Sequence, residues 1–305
     1  MKREAALRHR LNRAIDFAQS NVARPLDLDR MADVACLSKY HFARTFRAYV
    51  KEPPYHFVQR KRLEQAARSL AYLGGKPITE IALDSGFANS QAFSNAFRQR
   101  YGVSPRGFRA RNRWRIGSVP DIGQTAEILA QSARPLPDLD TAELTVRIEA
   151  RPAIRMAYVR HFGPYFNVAG GISTAFALIE RWAKKRGLWS GETACIGLCP
   201  DNAALTPAGS CLYDAGIAVP AEVQEDDLAS LQTIPAGLYA VLPIACPSAR
   251  VNHVWDWLAA HWLPGSGWTY DLQDCYEVYP AWHGLAGRPE TGVELCMRLK
   301  PRTAL

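Results

Sequence analysis

In the first third of the chain, apolar positions recur with the spacing of helices that face a core. Leu7, Leu11, Ala14, Ile15 and Ala18 fall on one stripe, and Phe57, Leu63, Ala66, Ala67 and Leu70 on another, with few strand signals between them. From Ile116 to Thr141 the periodicity stops. Pro120, Pro135, Pro137 and two glycines mark a linker there, interrupted by a short helical stretch near 124–131. Beyond it the texture changes to short β-branched or aromatic runs at 145–148, 154–159 and 238–244, alternating with helical stretches at 172–185 and 251–262. The pattern predicts an all-α domain over residues 1–113, a linker over 114–142 and an α+β domain over 143–302.

The helical part repeats itself. Met31-Ala32-Asp33-Val34-Ala35-Cys36-Leu37 parallels Ile81-Ala82-Leu83-Asp84-Ser85-Gly86-Phe87 at an offset of 50, and Phe42, Phe46, Arg47 and Pro54 match Phe93, Phe97, Arg98 and Pro105 at an offset of 51. Each copy reads as a short helix, a tight turn and a second helix whose Phe pair points inward, a helix-turn-helix. Gly86 supplies the second turn; Cys36 stands in the first, without glycine's freedom at positive φ. The outer sides of the second helices carry Lys39, Tyr40, Ala43, Arg44 and Arg47, then Ser90, Gln91, Ser94, Asn95 and Arg98. An Arg44 fork suits guanine O6 and N7, Gln91 or Asn95 suits adenine N6 and N7, and Tyr40 suits a thymine methyl or a sugar.

Charge sharpens this picture. Of the net +8 carried by 305 residues, residues 1–113 hold 22 Lys+Arg against 9 Asp+Glu, and the remainder 15 against 20. A basic, Arg-rich part beside an acidic one points to a polyanionic partner, double-stranded DNA, with a solvated basic surface as the alternative. A hydrophobic content of 48% excludes a disordered chain. No apolar run is long enough for a bilayer, and Met1-Lys2-Arg3-Glu4 opens without a signal core, so a soluble, non-exported protein with no membrane partner is expected. The seven cysteines, 36, 195, 199, 211, 246, 275 and 296, are odd in number and lack CxxC spacing, which argues against a disulfide framework or zinc ribbon and fits a reducing cytoplasm. Without a phosphate loop, dinucleotide fingerprint or HExxH helix, no cofactor and no metal are expected.

The segment Leu37-Ser38-Lys39-Tyr40-His41-Phe42-Ala43-Arg44-Thr45-Phe46, and residues 81–87 with Phe93-Ser94-Asn95-Ala96-Phe97-Arg98-Gln99-Arg100-Tyr101-Gly102-Val103-Ser104-Pro105, resemble the AraC/XylS family of bacterial transcription regulators. The resemblance covers roughly residues 5–113. It implies two helix-turn-helix subdomains joined by a long helix around 54–70, each placing a recognition helix in one of two successive major grooves, with Tyr40, Arg44, Gln91 and Asn95 as base readers. Two departures stand out: Lys51 and Glu52 replace the family's usual Gly and apolar residue, and Ala43 is too short to read a base. Specificity is therefore expected to rest more on the second copy.

In residues 143–302 a strand, a helix and two strands (154–159, 172–185, 194–199, 211–219) are followed by the same series (238–244, 251–262, 275–279, 293–299). Two pseudo-symmetric βαββ halves, with a pocket between them, are expected. Glu277 breaks the apolar pattern, and alternation puts it on one face with Cys275 and Tyr279. A buried carboxylate among aromatics holds an organic cation, and when empty is expected to keep water or a basic side chain near it; an exposed Glu on an edge strand is the alternative. All eight tryptophans follow residue 113. Trp182, Trp255 and Trp262 lie in helical stretches and read as core; Trp189, Trp268 and Trp282 read as pocket candidates. Cys195 and Cys199 read as strand packing, and Glu222, Glu225, Asp226 and Asp227 as a solvated loop.

Phe162-Gly163-Pro164-Tyr165, Tyr213-Asp214-Ala215-Gly216, Ile234-Pro235-Ala236-Gly237-Leu238-Tyr239-Ala240 and Tyr276-Glu277-Val278-Tyr279 resemble the GyrI-like effector-binding domain of several bacterial regulators. This implies a multidrug-type pocket centred on Glu277 and lined by aromatics, for which Tyr165, Tyr213 and Tyr279 are the matching tyrosines. The two resemblances together imply a cytoplasmic, nucleoid-associated bacterial transcription regulator that binds DNA, a small-molecule effector and RNA polymerase, and is not an enzyme. Two further readings are a GyrI-like hydrolase using Glu277 as general base and a protein module that inhibits a DNA enzyme.

Overall fold

The structure is a computed structural model and describes residues 2–24, 27–111, 144–165, 171–202, 205–246, 250–272, 275–280 and 291–302. The expected linker over 114–142, its short helix and Trp282 lie outside the described residues. The chain divides into two compact units, Met1–Ile122 and Gly123–Leu305.

Unit one is helical: α1 Lys2–Ser20, α2 Leu28–Val34, α3 Lys39–Val50, α4 Pro54–Tyr72, α5 Ile78–Asp84, α6 Ser90–Tyr101 and α7 Pro105–Arg111. The caps are written in the sequence. Asp27 accepts the Arg30 N–H at 2.8 Å and Asn89 the Ala92 N–H at 2.8 Å, each occupying an otherwise orphaned donor at a helix start. Pro54 opens α4, where a missing N–H costs nothing. The repeated Phe pairs fulfil the helical period: Phe42, Phe46, Phe93 and Phe97 are all 0% exposed. Phe46 meets Phe57 of α4 at 5.5 Å between ring centroids, and Phe97 meets Phe108 of α7 at 5.2 Å. Full burial of such a ring stabilises by roughly 3 kcal/mol.

The two copies differ where their glycines differ. Cys36 has φ 51° and Gly86 φ 79°, so both turns are left-handed. A Cβ on Gly86 would lie 2.6 Å from the Val22 carbonyl oxygen and 2.8 Å from Arg62 Nε. Arg62, on α4, donates to the Val22 and Arg24 carbonyls at 3.0 and 2.9 Å, so the second turn is wedged against α4 and the chain after α1. Cys36 is exposed and has room for its side chain. The same asymmetry recurs at the end of each recognition helix, where Lys51 has φ 68° and Gly102 φ 69°. Beside Lys51, Glu52 accepts Arg60 Nε at 3.0 Å while Glu64 accepts Arg60 Nη1 at 2.9 Å. Glu52 thus belongs to a largely buried ion cluster.

Unit two is a nine-stranded sheet with helices: β1 Arg147–Arg151, β2 Ile154–Phe162, α8 Ile172–Lys184, β3 Cys195–Cys199, β4 Leu212–Ala218, β5 Ser230–Ile234, β6 Gly237–Cys246, α9 Val251–Trp257, β7 Trp268–Tyr270, β8 Cys275–Tyr279 and β9 Thr291–Pro301. Sequence periodicity missed β5 and β7. The helix expected over 251–262 changes character midway: α9 continues as a π-helical turn, Leu258–Trp262. The strand order is β1-β6-β9-β8-β3-β4-β2-β5, with β7 beside β9, and the pairings are antiparallel. Within this order β2, β4 and β3 are neighbours, as are β6, β9 and β8, and the two groups meet at the β3–β8 pairing. The outermost strands cross over: β1 precedes β2 in the chain yet pairs with β6, and β5 precedes β6 yet pairs with β2.

Alternation gives the sheet two different faces. Met156, Tyr158, Ile196, Leu198, Tyr239 and Tyr276 belong to one buried cluster on one of them. Glu277, Gly197 and Tyr213 belong to the opposite face, which α8 covers through Phe176.

Candidate nucleic-acid interface and ligand site

The outer face of α3 presents Lys39, Tyr40, Arg44 and Arg47, all exposed, with Tyr40 at 87%. Ala43 is half-buried. On α6, Gln91, Asn95 and Arg98 are exposed, while Ser90 and Ser94 are half-buried. Neither helix contains an acidic residue. Two features prearrange the faces. Lys39 pairs with Asp29 at 2.8 Å, and that hydrogen bond raises its pKa; a phosphate would have to compete for this cation. Gln91 Nε2 donates to Asn95 Oδ1 at 3.0 Å, linking the two amides on successive turns.

In unit two, β8 runs between β9 and β3, so Glu277 sits in mid-sheet and is 5% exposed, which overturns the edge-strand alternative. Three donors meet its carboxylate. Tyr213 Oη and Tyr279 Oη donate to Oε2 at 2.7 and 2.8 Å, and Trp255 Nε1 donates to Oε1 at 3.0 Å. Burial, and then the charge of Glu277, push both phenols well above their usual range, so they stay protonated and donate. In place of the expected basic side chain, the described residues bring two neutral hydroxyls and an indole to this carboxylate, which occupy three of its roughly four lone-pair sites.

Gly197 makes this arrangement possible. It faces Glu277 directly in the β3–β8 pairing, and a Cβ there would overlap the Tyr213 hydroxyl. Tyr213 rises from β4, crosses β3 over the glycine and reaches Glu277 on β8. Phe176 packs edge-on against Tyr213 and Tyr279 at 5.9 and 5.6 Å. Tyr165 packs on Tyr213 at 5.5 Å, but its own hydroxyl is spent on the Leu212 and Asp201 carbonyls at 2.6 and 3.1 Å.

The other buried carboxylate in mid-sheet has a different environment. Asp214 accepts Arg160 Nε and Nη2 at 2.7 and 2.6 Å, and Gln232 Nε2 at 2.9 Å. Asp214 therefore has a guanidinium against it, whereas the hydrogen-bond donors that Glu277 meets among the described residues are neutral.

Of the expected site residues, Tyr165, Tyr213, Tyr279 and Glu277 come together. Trp189 and Trp268 do not join them among the described residues: the Trp189 ring lies 5.8 Å from Lys184 Nζ, and Trp268 is on β7, opposite Pro301 at the far end of β9. Trp255, expected in the core, is the tryptophan at the carboxylate. Asp226, expected in a solvated loop, accepts Trp182 Nε1 at 2.7 Å and the Leu228 N–H at 2.9 Å and pairs with Arg186.

Residues 144–300 match the GyrI-like small molecule binding domain. The chain belongs to the GyrI-like family. Ahead of its GyrI-like domain, residues 31–111 match a helix-turn-helix domain, of AraC type. Over 110 residues the chain is 33% identical to the HTH-type transcriptional regulator ArgR of Pseudomonas aeruginosa, covering 36% of this chain and 32% of ArgR. It is 30% identical over 97 residues to the regulatory protein SoxS of Salmonella typhimurium, covering 32% of this chain and 90% of SoxS. The DNA-binding domain of AdpA, solved in complex with a target DNA, is 28% identical, with 34% of this chain and 92% of that one covered and a TM-score of 0.33. The chain spans 32% of ArgR and 45% of the putative regulator YkgA of Escherichia coli. No described helix is long and apolar enough to cross a membrane.

Proposed function

We propose that this chain is a ligand-responsive transcription regulator. Residues 1–113 bind promoter DNA through Lys39, Tyr40, Arg44, Arg47, Ser90, Gln91, Ser94, Asn95 and Arg98. Residues 114–142 form the linker, and residues 143–302 bind a small cationic or aromatic effector at Glu277, Tyr213, Tyr279 and Tyr165. The setting is a bacterial cytoplasm, at the nucleoid, with RNA polymerase as the further partner; ArgR and SoxS are named as regulators. The observation that carries the reading is the contrast between two buried carboxylates: Asp214 has its cation, whereas Glu277 has a buried charge met by neutral donors. A charge so placed attracts a cation that enters with its own aromatic surface.

Of the three donors, Tyr213 and Tyr279 are buried and Trp255 is half-buried, on a helix that continues into a π turn. Trp255 is therefore the partner a cation displaces. Engagement of the carboxylate as an acceptor on both oxygens favours binding over use as a general base, since few lone pairs remain for a proton.

The test compares benzyltrimethylammonium with its neutral carbon isostere, neopentylbenzene, by Trp fluorescence on the full chain. Glu277→Gln should weaken the cation at least tenfold, about 1.4 kcal/mol, and leave the isostere unchanged. DNA affinity, measured on a duplex selected from a random pool, should shift when the cation is bound. Equal effects on both compounds would remove Glu277 from the ligand site, and a cation that binds without moving DNA affinity would remove the regulatory reading.

A further inference from the structure

Two of the seven cysteines face each other. In the β3–β8 pairing Cys199 stands directly opposite Cys275. Opposed residues of antiparallel strands project from the same face with Cα atoms about 4.5–5.5 Å apart. A disulfide asks for about 4.4–6.8 Å. The backbone therefore holds these two residues at bonding separation, and only side-chain rotation is needed to close them. Both are reduced thiols of intermediate exposure.

The remaining cysteines lack this arrangement. Cys195 faces Ile217 and Tyr279, Cys296 faces Val241 and Tyr276, and Cys246 faces Thr291. Cys195, Cys211, Cys246 and Cys296 are buried, and burial pushes the Cys296 thiol up to about 12 and Cys195 higher still. Cys36 lies in the helical unit.

We propose that Cys199 and Cys275 form a redox-responsive dithiol, which a hydroperoxide oxidises to a cross-strand disulfide two residues from Glu277. Cys275 is the attacking sulfur. Its thiol donates to the Tyr270 hydroxyl at 3.5 Å, and the same hydroxyl is placed to donate back once the thiolate forms. The thiolate attacks one peroxide oxygen, the O–O bond breaks, and the leaving hydroxide takes a proton to become water. The S–O bond of the resulting sulfenic acid then breaks as the Cys199 sulfur attacks, forming the S–S bond and releasing a second water. Two thiols lose two electrons and two protons, and hydrogen peroxide is reduced to two waters. The bond ties the two halves of the sheet together beside the carboxylate, giving the sheet a redox input separate from its effector.

The test treats reduced full-length protein with hydrogen peroxide, alkylates the remaining thiols in denaturant and maps peptides by mass spectrometry. The expected result is a Cys199–Cys275 linked pair, reversed by dithiothreitol, with titratable thiols falling by two from seven. Cys199→Ser should stop at a sulfenic acid on Cys275, trapped by dimedone, with no internal disulfide. Wild-type protein in which both cysteines remain alkylated while other thiols are lost, or in which the link joins another pair, overturns the proposal. That mapping needs no variant to fold.

Discussion

Gly197→Ala adds one methyl group to the point where Tyr213 crosses β3. The added Cβ would overlap the phenol oxygen and sit 2.5 Å from Tyr213 Cζ and 3.2 Å from Glu277 Oε2, so the ring must leave. Loss of a hydrogen bond to a charged acceptor costs about 1.5–3 kcal/mol. Forcing the ring into a packed layer costs about 1–3 kcal/mol. Alanine in a strand regains about 0.5–1 kcal/mol of backbone entropy over glycine. The net loss is roughly 1.5–5.5 kcal/mol, a large part of a typical stability of about 5–15 kcal/mol. Tyr213→Phe alone should cost about 1.5–3 kcal/mol, since it deletes the same hydrogen bond but not the space. The double variant decides the matter: the ring carbon still stands 2.5 Å from the added methyl group, but the hydrogen bond cannot be lost twice. It should fall short of additivity by at least about 1.5 kcal/mol. Urea unfolding followed by Trp fluorescence measures this, because every tryptophan lies beyond residue 113. Additive losses would refute the idea that the glycine exists to let the phenol pass.

Lys51→Gly should raise the thermal stability of the helical unit by about 1 kcal/mol by removing a side chain from a left-handed position, whereas Gly86→Ala, strained and obstructed by Val22 and Arg62, should lower it by more than that; circular dichroism melts check both. Arg44→Ala should cost roughly 1–3 kcal/mol on a selected duplex and much less on random DNA, and wild-type log K should fall with log salt by about 0.9 per neutralised phosphate; equal losses on both duplexes would make Arg44 a backbone contact. Burial lowers the His161 pKa below its ordinary 6.5, so its contribution is complete above that value and is lost as pH falls. His161→Asn should accordingly flatten the acid side of the stability profile in urea titrations at stepped pH.

Local patterns carried the helical unit. The Phe pairs and the outward polar faces depend on neighbours within a few positions, and periodicity reads such neighbours well. Alternation likewise brought Glu277 and Tyr279 to one face. What escaped notice depends on pairing across the sheet. β5, Ser230-Leu231-Gln232-Thr233-Ile234, is too polar to stand out as a strand without β2 beside it, and β7 has only three residues. Trp255 looked like core because it sits in a helical stretch, yet its indole meets a residue far along the chain. Gly197 did leave a signal, a glycine in a β-branched and apolar run, but its meaning requires knowing that Glu277 is its partner in register. Asp226 was hidden by acidic neighbours that share its composition and not its bonds.

The exchange of β1 and β5 bears on how the chain can be made. On a ribosome, residues 144–234 emerge first, but β1 has no partner until Gly237–Cys246 follows, whereas β5 finds β2 already waiting. Strand β2 can therefore gain its outer partner during synthesis, while β1 trails as an unpaired strand whose exposed Ile148 invites pairing with another chain. Completing the sheet awaits β6, and a contact so distant in sequence makes folding slow. Arg147 and Arg151 flank Glu149 on that strand and reach Glu294 of β9 only at the end. Until then their charge guards a nascent edge against aggregation.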